Sequence, residues 1–247
     1  MASGGGWARW WRSARDAVRA QWTSDPARSR TAYGLTAAYE RADEPERFDL
    51  GSGRLVIFSD HHRGKKDGAD DFRRCERAYR AALGHYLESG YTLALLGDVE
   101  ELWENRLPEP LKAYPEVLAL ERAFHEEGRM WRCFGNHDLV WSRPGHVKRY
   151  LADVVGPGIQ VFEARKLDVY DGTEKLGQLF LTHGHQGTPD SDLFAPLAML
   201  PVRYVWPALQ RSVKFASTSP AQDYELRAGH DDAMFAWARH HTRSPRC

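Results

Sequence analysis

The sequence predicts an α/β domain, and three observations predict it. First, four polar clusters, Asp60-His61-His62, Gly97-Asp98, Gly135-Asn136-His137-Asp138 and His183-Gly184-His185, each close an apolar run. Those runs are Leu55-Val56-Ile57-Phe58, Leu93-Ala94-Leu95-Leu96, Met130 to Phe134 and Leu179-Phe180-Leu181. Short apolar runs closed by turn residues read as buried strands. Second, helical periodicity fills the intervals between the first three runs. Third, Asp60 to Asp98 and Asp98 to Asn136 are both 38 residues, and a βαβ unit needs about 30 or more. Each interval therefore holds one crossover. Ligands gather outside the carboxyl ends of strands in open α/β sheets, so the clusters converge on one sheet edge.

In chain order, residues 1–48 read as an N-terminal extension. Trp7, Trp10, Trp11, Val18 and Trp22 recur at helical spacing, with Arg9, Arg12, Arg15 and Arg19 on other positions. That is a basic, tryptophan-rich amphipathic helix. It can lie at a membrane interface or dock on this protein's own surface or a partner subunit. Asp43-Glu44-Pro45-Glu46 reads as a connector. Residues 49–247 form the main domain. Asp70 and Asp71 start a helix with Phe72, Cys75, Tyr79, Leu83 and Tyr86 on its apolar side, and Gly90 ends it. A second helix spans about 116–127 and stops at Gly128. Val161 to Val169 and Gly177 to Thr182 read as a strand pair around the Asp171-Gly172 turn. Phe194 to Phe215 reads as irregular helices, either a lid or a cover for the sheet, followed by a helix through Met234 and Trp237.

Composition narrows the functional classes. At 247 residues the chain can bury a full α/β core. Lys plus Arg equals Asp plus Glu at 34 each, so net charge gives no sign of nucleic acid. Cys75, Cys133 and Cys247 have no metal-type spacing, which argues against a thiolate zinc site and for a reducing compartment. The longest uncharged apolar stretch, Leu193 to Val202, is far short of the roughly 20 residues a membrane span needs. A cytoplasmic protein is expected, with peripheral membrane contact open through residues 7–22.

Asp60 and His62, two apart at a strand end, can turn to one point. Asp98 adds a carboxylate able to bridge two cations, Asn136 a neutral oxygen and His183 an imidazole. Oxygen and nitrogen ligation without thiolate suits manganese, iron(II) or zinc. Two such ions clamp the attacking and leaving oxygens of a displacement at phosphorus.

Asp-x-His, Gly-Asp-x-x-Glu, Gly-Asn-His-Asp and a later His-Gly, in that order over about residues 54–190, resemble the calcineurin-like metallophosphoesterase family. The resemblance implies a four-layer α/β/β/α sandwich of two mixed sheets. It implies two divalent metal ions, manganese first and iron or zinc as alternatives. Asp60 and His62 would bind one ion, Asp98 would bridge, and Asn136 and His183 would bind the other. It implies hydrolysis of a phosphate ester or pyrophosphate by a metal-activated hydroxide, with His137 as the catalytic residue at the leaving oxygen. The substrate would be a phosphorylated small molecule or lipid-linked. Glu101 and Asp138 are expected to orient ligands, and His61, Arg63 and His185 to support the site or touch substrate.

The family's final Gly-His-x-His motif does not follow residue 190. Gly229-His230-Asp231-Asp232 carries its glycine and one histidine only. A chain incomplete at its C-terminus is one expectation, and His183-Gly184-His185 as the terminal pair is the other. Gly97 to Trp103 also resembles bacterial UDP-2,3-diacylglucosamine pyrophosphatases. Those enzymes carry arginine where His137 stands and aspartate where His185 stands. A non-catalytic scaffold with a degraded site and a membrane-surface lipid pyrophosphatase are the alternatives.

Overall fold

Residues 29–187 and 224–243 are described by the computed structural model. The expected tryptophan helix at 7–22 and the segment 194–215 lie outside the described residues. Helix α1 (Arg30–Arg41) starts where the Ser29 hydroxyl accepts the Ala32 N–H at 3.2 Å, a capping bond worth about 1 kcal/mol. Its buried residues Thr31, Leu35 and Ala38 recur at helical spacing. Strand β1 (Glu46–Asp49) precedes β2 (Leu55–Phe58). Helix α2 (Phe72–Glu88) buries Phe72, Tyr79 and Leu83, and is followed by Gly90 at φ 75°. Cys75, expected on that apolar face, is exposed.

Next come β3 (Thr92–Leu96), α3 (Glu109–Ala113), α4 (Pro115–Glu126) and β4 (Met130–Cys133). Pro115 occupies the first turn of α4, where its missing N–H costs nothing. Short helical turns between 139 and 155 lead to β5 (Ala164–Asp171) and β6 (Glu174–Thr182), and α5 (Tyr224–Arg243) closes the described chain.

Among the described residues the architecture is mixed α/β with two three-stranded sheets. In one, β2, β3 and β4 are all parallel, with Ile57 opposite Ala94 and Leu95 opposite Arg132. Each connection is a helical crossover, which delivers strands in the same direction. Among the described residues this sheet holds parallel pairs only. In the other, β5 pairs parallel with β1 and antiparallel with β6, so that sheet is mixed. Phe162 joins the two, donating its N–H to the Arg132 carbonyl (2.9 Å) and accepting from Phe134 (3.0 Å).

The main core gathers Leu83, Leu93, Leu95, Val117, Phe124, Trp141 and Leu151 between α2, α4 and the parallel sheet. A second cluster joins α1, α5 and β6 through Ala32, Leu35, Trp237, Tyr39 and Phe180. The boundary expected at residue 49 thus falls inside packed structure. The strand Glu46-Arg47-Phe48-Asp49 has one apolar residue, and in sequence it merges with the acidic run before it.

Candidate metal centre

The loops after β2 and β3 continue the strand pairing beyond the sheet. Asp60 donates its N–H to Gly97 O (3.2 Å), His62 to Asp98 O (2.9 Å) and Arg63 to Val99 O (2.9 Å), and Glu101 donates back to Arg63 O (2.9 Å). Asp60, His62 and Asp98 adopt positive φ of 56°, 46° and 50°. Such conformations cost of order 1 kcal/mol or more for residues with a Cβ, and gather where a site over-determines them. Gly97, at φ 99°, brings the β3 turn against its neighbours: a Cβ there would stand 2.6 Å from Gly135 N and 2.9 Å from His183 Cγ. Only glycine lets the three loops close together.

The five expected ligands do converge, as a chain of near neighbours. His62 Nε2 lies 3.9 Å from Asp60 Oδ1 and 3.7 Å from Asp98 Oδ2. His183 Nε2 lies 3.3 Å from Asp98 Oδ2 and 3.3 Å from Asn136 Oδ1. Donor atoms around a divalent ion with bonds of about 2.1 Å stand roughly 3.0–3.4 Å apart. The donors of Asp60, Asp98 and His183 all lie within 4.8 Å of one another. These side chains fit a divalent cation with modest closure.

Hydrogen bonds turn both imidazoles the required way. His183 Nδ1 donates to Leu96 O at 2.8 Å, and His62 Nδ1 meets Glu101 Oε2 at 2.9 Å. Each ring thereby presents Nε2 to Asp98, as metal-binding histidines do when a partner fixes the other nitrogen. Burial pushes Asp98 up, but the His183 hydrogen bond and charge outweigh it and hold its pKa near 2. Burial would likewise lower His62, yet the Glu101 bond and the Asp98 charge raise it to about 9. His183 moves in the same direction: burial lowers it and the Asp98 interaction raises it further. Lone pairs are concentrated here, and positive charge is favoured.

Glu101 serves His137 as well. His137 Nδ1 meets Glu101 Oε2 at 2.7 Å, and the His137 backbone N–H donates to Asp98 Oδ1 at 2.9 Å. Trp103, which sequence reasoning left without a role, stacks on the His137 ring at 4.1 Å and 12°. Its indole N–H donates to Asn136 O at 2.9 Å. The only signal in sequence is its place two residues after Glu101. Asp138 is fully buried and accepts N–H groups from Gly135 (2.7 Å), Val99 (2.9 Å) and Asp98 (3.3 Å), tying the second loop to the third. His185 sits 5.3 Å from the His183 ring, and burial lowers its pKa to about 4.

Two candidates stand elsewhere. The His61 ring packs on Tyr79 at 4.4 Å and on Phe72 at 5.6 Å, facing the core because adjacent loop residues diverge. Arg63 is 1% exposed and pairs with Glu100 (2.9 Å) and Glu121 (2.7 Å), so no substrate reaches it. Arg132 completes this buried set by pairing with Glu100, whose Oε2 also accepts the Trp141 indole N–H at 2.8 Å. Lys66, three residues on, pairs with Glu76 at 2.8 Å.

A small cleft opens beside His62, lined by Lys65, Asp67, Asp70, Glu101 and Glu104 among others. Burial, then the Glu101 charge, raises Glu104 to about 7. Among the described residues no helix is long and apolar enough to cross a membrane. No protein-family model, curated protein or solved structure matches this chain.

Proposed function

We propose that the chain is a metal-dependent phosphoesterase of the calcineurin-like type, hydrolysing a phosphate ester or pyrophosphate bond. The observation that carries this reading is the position of Asp98. Its Oδ2 stands 3.7 Å from His62 Nε2 and 3.3 Å from His183 Nε2, while Asp60 Oδ1 is 3.9 Å from the first nitrogen and Asn136 Oδ1 3.3 Å from the second. A carboxylate within reach of several oxygen and nitrogen donors is what two divalent ions would share. The donor chemistry suits manganese, with iron or zinc as alternatives. When bound, the ions supply Lewis acidity toward phosphoryl oxygen and acidify a water to near neutral pH.

The chain's own groups do the rest. Glu101 keeps Nδ1 of His62 and of His137 engaged, which leaves their Nε2 atoms for ligation and for proton transfer. Stacking on Trp103 and the backbone bond to Asp98 hold the His137 ring at the centre's edge, where it can protonate the leaving oxygen. Such assistance is worth about 10²–10⁴-fold. At the level of architecture, we infer a four-layer sandwich. α2 and α4 flank the parallel sheet, and α1 with α5 flanks the mixed one.

Asn136→Ala tests the mechanism. Charged with manganese and offered a panel of phosphate monoesters, diesters and pyrophosphate, it should lose turnover by about a hundredfold or more. Its circular dichroism and melting temperature should match the parent chain. Turnover retained on the substrate the parent hydrolyses would overturn the mechanism.

A further inference from the structure

The loop from His183 to Gly187 is held at both ends. At one end, the His183 ring donates to Leu96 O. At the other, α1 meets it backbone to backbone: a Cβ on Gly34 would stand 2.6 Å from Gly187 N. The side chain of Gln186 is 4% exposed, and its Oε1 accepts the Gly184 N–H at 3.1 Å. Between these anchors Gly184 sits at φ 97°, outside the conformations that side-chain packing stabilises.

His230 reaches this peptide from α5. Its Nε2 lies 3.9 Å from the point a Gly184 Cβ would occupy, and the ring is hydrogen-bonded to the Gly184 backbone. The Gly184 N–H is already given to Gln186 Oε1, so the imidazole N–H donates and the Gly184 carbonyl accepts. Trp237 seats the helix that carries it. It stands seven residues, about two turns, after His230 and so on the same face. Trp237 packs with Ala32 and Leu35, and its indole N–H donates to Thr36 Oγ1 at 2.9 Å. α5 is thus docked on α1 independently of His230, and α1 is docked on the ligand loop.

We propose that His230 is a positioning residue for His183: it holds the Gly184 peptide and so fixes where the His183 imidazole stands. The role rests on His183 being a metal ligand. In sequence, Gly229-His230 carried only the glycine and one histidine of the family's final motif; in the fold, its histidine supports the ligand loop. Supporting partners of this kind are typically worth 10- to 100-fold in metal affinity.

Manganese titration of the full chain by calorimetry tests it, with melting curves of the metal-free proteins alongside. His230→Leu, similar in volume but without a donor, should bind one of two ions about tenfold or more weakly. His230→Gln, whose amide can donate at similar reach, should restore affinity to within about threefold, which a merely structural role would not do. If His230→Leu does not fold, His230→Asn, one methylene shorter than Gln, takes its place with the same expected loss. Parental affinity in the Leu variant, or Gln as weak as Leu, overturns the role. His183→Ala should lose one ion outright. Unchanged binding in that variant would instead overturn the assignment of His183 as a ligand.

Discussion

Glu101 Oε2 takes two imidazoles at once, His62 at 2.9 Å and His137 at 2.7 Å. Burial opposes its charge, but these two hydrogen bonds hold its pKa near 2. A single carboxylate thereby sets the ring orientation of a candidate ligand and of the candidate general acid. Glu101→Gln can keep one oxygen against both rings, but it loses the negative charge and turns an NH2 group toward the Trp103 N–H that Oε1 accepts at 3.1 Å. Manganese affinity should fall about 10- to 100-fold in Glu101→Ala and by an intermediate amount in Glu101→Gln, read by calorimetry. Equal affinity in all three proteins would exclude the orienting role. Glu101 stood out in sequence by its spacing after Gly97-Asp98. Trp103 did not, because a stack on His137 depends on the third loop folding back over the second.

At the scale of elements, the loops that carry ligands stand on a buried charge set. Arg63, Glu100, Glu121 and Arg132 are each at most 1% exposed, and they join the first loop, the second loop, α4 and β4. Sequence singled out Glu101 by its spacing after Gly97-Asp98 but gave no sign of Glu100, whose inward turn depends on the loop's fold. Arg63 was likewise ambiguous beside Lys65 and Lys66. The pKa of Glu100 is held below the usual 4.5: burial raises it, but Arg132 and Arg63 outweigh that. Because the folded pKa lies below the unfolded one, its stabilisation is complete above about pH 4.5. It is lost as pH falls through the folded value. Glu100→Gln should therefore cost about 3–5 kcal/mol at pH 7, by leaving two buried guanidinium groups under-neutralised. Its stability should also fall less steeply than the parent's below pH 4.5. Urea unfolding across pH 3–7 checks both, and parallel curves for the two proteins would exclude the charge set as a stabilising element.

For the whole molecule, the question is what completes the mixed sheet. The three parallel strands and their crossovers were legible because each apolar run ended in a chemically distinctive turn. The mixed sheet was half legible: β5 and β6 announced themselves around Asp171-Gly172, while β1 hid in a charged stretch. Its pairing with β5, Phe48 opposite Val169, makes residues 46–49 a structural edge rather than a leader. α1 then covers the sheet, with Tyr39 stacking edge-on to Phe180 at 5.3 Å and to Trp237 at 5.9 Å. A chain starting at residue 50 would lose this strand and helix, exposing Phe180, Leu167 and the apolar face of α5. Losing the buried Ala32, Leu35 and Ala38 side chains alone removes several kcal/mol. In a protein of this size each kcal/mol is worth about 2–4 °C in melting temperature. The shortened chain should melt more than about 10 °C lower and bind a hydrophobic dye at room temperature, and its manganese affinity should fall because the His183 loop has lost its backing. A dispensable extension predicts the opposite: a melting temperature within about 2 °C of the parent and unchanged manganese binding.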